Sequence, residues 1–149
     1  MGLNCKLVID YVIEASLKSK NCDKILIVAD EEYIEYSRYL KSRKFDMAPN
    51  GNERYDSINN GFEYIKNNYD CDKIIIVDAV APFLYPELID DYFDKLDGYD
   101  AVITTQKITG ALGNYSYDPL DREDYYITQS PEAFKFKMIY ENFNHNSKS

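Results

Sequence analysis

Lys73-Ile74-Ile75-Ile76-Val77-Asp78-Ala79-Val80-Ala81-Pro82-Phe83-Leu84 decides how this chain reads. Its first half is a continuous β-branched run that ends on a carboxylate. A run that is apolar at every position, not at alternate ones, belongs to a parallel strand covered on both faces. Lys24-Ile25-Leu26-Ile27-Val28-Ala29 has the same character upstream, and Asp100-Ala101-Val102-Ile103-Thr104-Thr105 predicts a third strand downstream. Between the strands the apolar period changes to that of helices. Over 7–19, Leu7, Tyr11, Val12, Ala15 and Ser16 share one side, and Val8 and Ile9 widen the apolar face. Helical patterns recur over 31–42, 54–68 and 86–96, the last opening on Pro86 at a favoured first-turn position. A final helix is expected from Pro131 to about Phe143, with Ser130 as its cap and Phe134 facing inward.

Alternation of strand and helix predicts an α/β layer with a mostly parallel sheet and right-handed crossovers. Residues 106–125 break the rhythm. Gly110, Gly113, Asn114, Pro119 and several tyrosines there read as an extended arm or β-hairpin. With no internal repeat, low-complexity tract or linker, 1–149 is expected to be one domain with a protruding arm.

Bulk properties narrow the function classes. A 149-residue chain buries roughly 68–70% of its unfolded surface, enough for a core without staples. Hydrophobic residues make up 45% of it, in runs far short of a membrane span. The start, Met1-Gly2-Leu3-Asn4-Cys5-Lys6, lacks the basic segment and cleavage site of a signal peptide, and Lys6 stands where a myristoylation motif needs Ser or Thr. A net charge of −9 repels phosphate backbones and argues against nucleic acid as a partner. Cys5, Cys22 and Cys71 are odd in number and form no CxxC or Cys/His pair, as expected of reduced thiols in the cytoplasm. The single histidine, His145, lies in a polar tail and carries no catalytic expectation.

Three places could carry chemistry. In open α/β sheets, ligands bind beyond the carboxyl ends of the strands. Asp78 leaves such a strand, so its carboxylate is either a hard oxygen ligand suited to Mg²⁺ or an ordinary turn cap. Asn50-Gly51-Asn52 can turn sharply and expose backbone groups that read a flat base, with Ser57 farther into the following helix. The plainer alternative is a turn with Asn52 as N-cap, whose N3 residue would be Tyr55 and so form no capping box. Lys107, Thr109 and Arg122 lie in or beside the arm. Arg122 has the forked donors that suit a phosphomonoester, or it pairs with a neighbouring Asp121, Glu123 or Asp124.

Several motifs occur in one order: Gly51-x-Glu53-Arg54-x-Asp56-Ser57-Ile58-x-x-Gly61, then the strand into Asp78-Ala79-Val80-x-Pro82-Phe83-Leu84, then Leu120-Asp121-Arg122, then Gln129-Ser130-Pro131-Glu132-Ala133-Phe134. This order resembles the erythritol- and ribitol-phosphate cytidylyltransferases, over about residues 3–143 and most strongly over 51–84 and 119–136. The resemblance implies a Rossmann-like nucleotidyltransferase sheet. It also implies transfer of CMP from CTP to a polyol phosphate with Mg²⁺ and release of pyrophosphate. By it, Gly51, Asn52 and Ser57 line the cytosine pocket, and Asp78 and Ala79 face ribose, phosphate and metal. Thr109 and Arg122 contact the polyol phosphate, and the arm crosses to the second subunit of a homodimer.

Against that pattern the chain reads as truncated at both ends. The family's Gly-x-Gly-x-Arg loop and its lysine, which hold the triphosphate, precede the point where Leu3-Asn4-Cys5-Lys6 matches. The family's closing Asn-x-Lys-x-Thr strand has no counterpart, and Ala81 stands where the family motif carries arginine. Loss of a charge-stabilising donor typically costs on the order of 10²–10³ in rate. Two readings therefore stand: a cytidylyltransferase, or a non-catalytic nucleotide-binding or dimerising relative. A generic α/β interaction domain with coincidental motifs is a third.

Overall fold

A computed structural model describes residues 2–3, 6–32, 45–79 and 84–143, with side chains from residue 12 onward. A two-residue pairing of β1 (Gly2–Leu3) with β2 (Lys6–Leu7) leads into α1 (Val8–Lys18). Strand β3 (Ile25–Ala29) lies parallel to β4 (Phe45–Pro49), in register from Ile25↔Phe45 to Ala29↔Pro49. Of the helix expected over 31–42, only Glu31 and Glu32 fall within the described residues, both helical. Helix α2 (Arg54–Asn68) follows, then β5 (Lys73–Ile76) and α3 (Pro86–Lys95), which opens on its proline as expected. Strand β6 (Ala101–Lys107) and strand β7 (Tyr126–Lys135) flank the arm, and α4 (Phe136–Phe143) ends the described chain.

The α/β class with a parallel sheet is what forms. One strand was misread. Residues 131–135 are not the start of a helix, which begins only at Phe136, but the end of β7, which lies antiparallel between β5 and β6 and so leaves those two running in the same direction. Proline at a predicted first helical turn was the misleading signal. Here Pro131 sits inside a strand, which its missing N–H permits only at an edge or an irregularity. The register shows the irregularity: Ile103 faces Glu132, but the next residue, Thr104, faces Gln129. Ser130 and Pro131 are thus extra on β7, a bulge that leaves the proline with no ladder bond to donate. The Ser130–Pro131 peptide is cis. Thr104 Oγ1 donates to the Pro131 carbonyl at 2.8 Å and closes the gap the bulge opens. Ser130 caps nothing, whereas Phe134 does turn inward, 9% exposed.

Apolar contacts lock the layers. Val12 and Ala15 of α1 meet Leu84 and Ile89 beside α3, with Ile75 and Val77 against them. On the other face Phe62 and Ile65 of α2 pack with Phe136, and Leu26, Ile74 and Ile76 join from β3 and β5. Full burial of such a side chain contributes about 1.5–3 kcal/mol. Gly61 lets α2 ride close on β3, since a Cβ there would stand 3.2 Å from Val28 Cγ2.

A polar clamp joins the end of α1 to α3. The buried Ser19 hydroxyl donates to Asp90 Oδ1 at 2.5 Å, and the Asn21 and Lys20 amides donate to the same carboxylate at 3.0 and 3.3 Å. The Ser19 bond chiefly holds Asp90 below the usual carboxylate pKa, with the backbone donors assisting. A depressed folded pKa adds stability that is present above the unfolded value and lost as pH falls through it toward the folded one. Asp90→Asn is therefore expected to melt about 2–4 °C below the parent at pH 7, with the gap closing as pH falls below 3.8. Melting curves of both proteins across that range check this.

Candidate functional site

The carboxyl end of β5 and the amino end of α2 meet. Pro49 ends β4 and the chain turns through Asn50, whose amide donates to the Ala29 carbonyl at 3.0 Å and ties the turn to β3. Asn60 Nδ2 reaches back to the Pro49 carbonyl at 3.1 Å. Gly51 then packs directly onto the helix. Its amide donates to Ser57 Oγ at 3.0 Å, and a Cβ on it would fall 2.1 Å from Asp56 Cβ and 3.0 Å from the Asp56 carbonyl carbon. Only glycine fits so close an approach. The N-cap is Glu53, one residue later than the Asn52 alternative supposed, and N3 is accordingly Asp56. Its carboxylate accepts from the Glu53 amide at 3.2 Å, forming the capping box that Asn52 and Tyr55 could not. Asn52 is exposed beside the turn, while Gly51 and Ser57 are half-buried.

Asp78 stands two residues past the end of β5 and is exposed, as is Ala79. Two contacts fix Asp78. Its amide donates to Ser130 Oγ at 2.8 Å, so a side chain freed by the bulge in β7 replaces the missing ladder bond. Its Oδ1 lies 3.4 Å from Arg54 Nη2. Arg54 is the first residue of α2, so this pair joins the glycine turn to the strand end. Both partners are about half exposed, and such pairs contribute about 0–1 kcal/mol. The pair matters for placement more than for stability. Neither Arg54, which lies inside a motif, nor Ser130, which precedes a proline as a helix cap would, stands out in the sequence as a contact of Asp78. The β-branched Ile127-Thr128 ahead of the proline was the signal that favoured a strand.

Thr109 and Arg122 also come together, but elsewhere. Arg122 Nη1 donates to the Thr109 carbonyl at 3.0 Å, so its described partner is a backbone oxygen and not an adjacent carboxylate. Arg122 opens a short 3₁₀ turn, Arg122–Asp124, which Asp121 caps by accepting from the Glu123 amide. Both residues lie beyond the Lys107↔Tyr126 pair, at the same end of the sheet as Asp78. Tyr126 is four residues from Ser130, roughly 13 Å of strand at 3.2–3.4 Å per residue. No described contact joins this pair to Gly51, Ser57 or Asp78. The arm carries aromatic side chains into solvent, with Tyr115 and Tyr117 almost fully exposed at 102% and 94%.

A second hollow, about 300 Å³, lies at the opposite end of β5 among Cys71, Lys73, Leu96, Asp97, Lys135 and Lys137. Burial pushes the Cys71 thiol up, which makes it a poor nucleophile. Lys73 is bound there to Asp97 at 2.6 Å and to the Phe93 carbonyl. Among the described residues no group of three or more His, Cys, Asp or Glu could enclose a metal, and no helix is long and apolar enough to cross a membrane.

The glycine turn is thus clamped to the start of α2, and a carboxylate stands just past the end of β5. The family profile described as 2-C-methyl-D-erythritol 4-phosphate cytidylyltransferase matches residues 1–149.

The chain belongs to this cytidylyltransferase family.

The cytidylyltransferase of Caldicellulosiruptor bescii is 28% identical over 148 residues, covering 95% of this chain and 65% of that protein. The enzyme of Clostridium kluyveri is 30% identical, covering 91% of this chain and 62% of that protein. The chain thus spans just under two thirds of the length of these curated relatives. Among solved structures, 4-diphosphocytidyl-2C-methyl-D-erythritol synthase from Anaerococcus prevotii superposes with a TM-score of 0.85 at 19% identity, over 97% of this chain and 69% of that one. The Thermus thermophilus cytidylyltransferase gives 0.74 at 14% identity, over 97% and 68%. At such identities these structures show that the fold is shared.

Proposed function

We propose that this chain forms the base-reading and metal-binding part of a cytidylyltransferase that transfers CMP from CTP to 2-C-methyl-D-erythritol 4-phosphate. The observation that carries this reading is the Arg54–Asp78 pair at 3.4 Å, which sets the family's glycine turn and its strand-end aspartate side by side. The turn at Gly51 and exposed Asn52, steadied by the bond of the Gly51 amide to Ser57 Oγ, offers its remaining backbone and side-chain polar groups to cytosine. Asp78 fits Mg²⁺ as a single hard oxygen ligand, because Mg²⁺ takes one or two carboxylates and draws its other ligands from phosphates and water. Bound there, the ion would neutralise charge on the nucleotide phosphates. The Ala79 backbone stands beside that carboxylate, facing the ribose.

In the reaction a phosphate oxygen of the polyol phosphate bonds to the α-phosphorus of CTP, and the bond from that phosphorus to the bridging oxygen breaks, releasing pyrophosphate. Little covalent assistance is needed, so positioning and charge supply the rate. Thr109 and Arg122 hold the polyol phosphate. Because they sit out on the arm, they serve Asp78 of a second subunit, and exposed Tyr115, Tyr117, Tyr125, Tyr126 and Ile127 supply the apolar surface of a homodimer.

A second reading, a non-catalytic nucleotide-binding relative, draws on Ala81, which stands at the family's arginine position outside the described residues. One experiment separates the two. The chain is incubated with CTP, Mg²⁺ and either methylerythritol phosphate or ribitol phosphate, and CDP-linked product and pyrophosphate are counted. Product with methylerythritol phosphate supports the enzyme. CTP binding without product supports the second reading, and neither binding nor product contradicts both.

A further inference from the structure

The amino end of α2 carries the candidate site, yet the buried residues of that helix, Gly61, Phe62 and Ile65, all lie in its later turns. Beside the Arg54–Asp78 pair and the capping box, an aromatic contact from the far end of the described chain holds the first turn. The Phe143 ring, in the last turn of α4, stacks on Tyr55 at 4.7 Å with 12° between the planes. It also meets Phe62 edge-on at 5.0 Å and 74°. Tyr55 stands between Arg54, which pairs with Asp78, and Asp56, against which Gly51 packs. Along the rest of the interface α4 is fastened separately, by Tyr140 Oη donating to Glu63 Oε1 at 3.1 Å and by Phe136 against Phe62.

We propose that Phe143 is a positioning residue for the Gly51–Ser57 turn: its ring clamps Tyr55 and thereby holds the surface that reads the base. The proposal rests on the reading of that turn as the cytosine contact. Through β7 and α4, the one segment Tyr126–Phe143 then braces both halves of the site, Ser130 holding Asp78 from one side and Phe143 holding Tyr55 from the other.

Amide hydrogen exchange of the full chain tests it without requiring nucleotide. A stacked aromatic pair contributes about 0.5–1.5 kcal/mol beyond its area, a factor of about 3–10 in a local opening equilibrium. Phe143→Ala should speed exchange at the Gly51 and Ser57 amides by that factor and leave β6 and β7 unchanged. Phe143→Tyr should restore protection. Tyr140→Phe, which removes a bond on the same interface, should leave the turn as it was. Phe143→Leu, which keeps most of the volume and loses the stack, gives the same reading if the alanine variant folds poorly. Parent-like exchange at Gly51 and Ser57 in Phe143→Ala and Phe143→Leu overturns the proposal, as does uniform acceleration that includes β6 and β7. In parallel, CTP affinity should fall about 3–10-fold in Phe143→Leu. If the parent binds no CTP, the nucleotide reading fails while the exchange data still decide the clamp.

Discussion

Asp78→Asn removes the Mg²⁺-dependent part of CTP affinity and leaves the protein folded. Asparagine keeps the shape and the backbone amide that Ser130 holds, so the neighbouring turn stays in place. What changes is charge. A neutral amide is a far weaker partner for a hard divalent ion than a carboxylate, and losing one electrostatic contact to a reacting phosphate lowers turnover on the order of 10²–10³. The stability cost is small, because the Arg54 pair it breaks is exposed on both sides and worth about 0–1 kcal/mol. Titrating CTP with and without Mg²⁺ checks this: the parent binds more tightly with the ion, and the variant gives the same weak curve both ways. An undiminished Mg²⁺ effect in the variant places the ion elsewhere.

Gly51→Ala has the second large effect, on structure and binding together. The new methyl would stand 2.1 Å from Asp56 Cβ and 3.0 Å from backbone, so no side-chain rotation relieves it. The turn must lift off the helix. That breaks the Gly51 amide bond to Ser57 and disturbs the Asp56 bond to Glu53. Overpacking of this kind costs about 1–3 kcal/mol, which for a chain of this size lowers the melting temperature by about 2–4 °C per kcal/mol. On the proposed reading of this turn as the cytosine contact, CTP affinity is expected to fall more than stability alone would lower it. Ser57→Ala separates the two contributions. It deletes the hydrogen bond, worth about 1 kcal/mol, without forcing the turn outward, and should lose less of both.

The elements that sequence reasoning recovered were those whose local and global preferences agree. The strand at 73–76 carries three isoleucines after Lys73 and is half-buried with apolar contacts on both faces. Its pattern therefore reads as a strand, although the described neighbour β7 runs antiparallel to it. Helix α2 runs over 54–68 as its period indicates, and only the cap differs, Glu53 holding the place that the plainer alternative gave to Asn52. The mismatch at 131–135, strand where a helix was expected, has a definite cause. Proline after serine is a common helix opening, and nothing local reveals that β6 and β7 slip register between Ile103 and Thr104 and so make room for it. A bulge is a relation between two strands far apart in the chain.

The same distinction governs the site. Gly51, Ser57 and Asp78 were legible because a glycine turn and a strand-ending aspartate are local signals. That Gly51 packs on Asp56, that Ser130 holds the Asp78 amide and that Phe143 stacks on Tyr55 depend on tertiary approach. Arg122 was legible as a cation, but its engagement with the Thr109 carbonyl, across 13 residues of arm, was not.

The central claim is that cytidine nucleotide binds where α2 begins and β5 ends. Amide chemical shifts of the uniformly labelled chain, followed during CTP titration with Mg²⁺, test it most directly. Saturable shifts are expected at Gly51, Asn52, Ser57, Asp78 and Ala79, lost in Asp78→Asn when the ion is present. Shifts confined to Cys71, Lys73, Lys135 and Lys137, which line the hollow at the other end of β5, would contradict it.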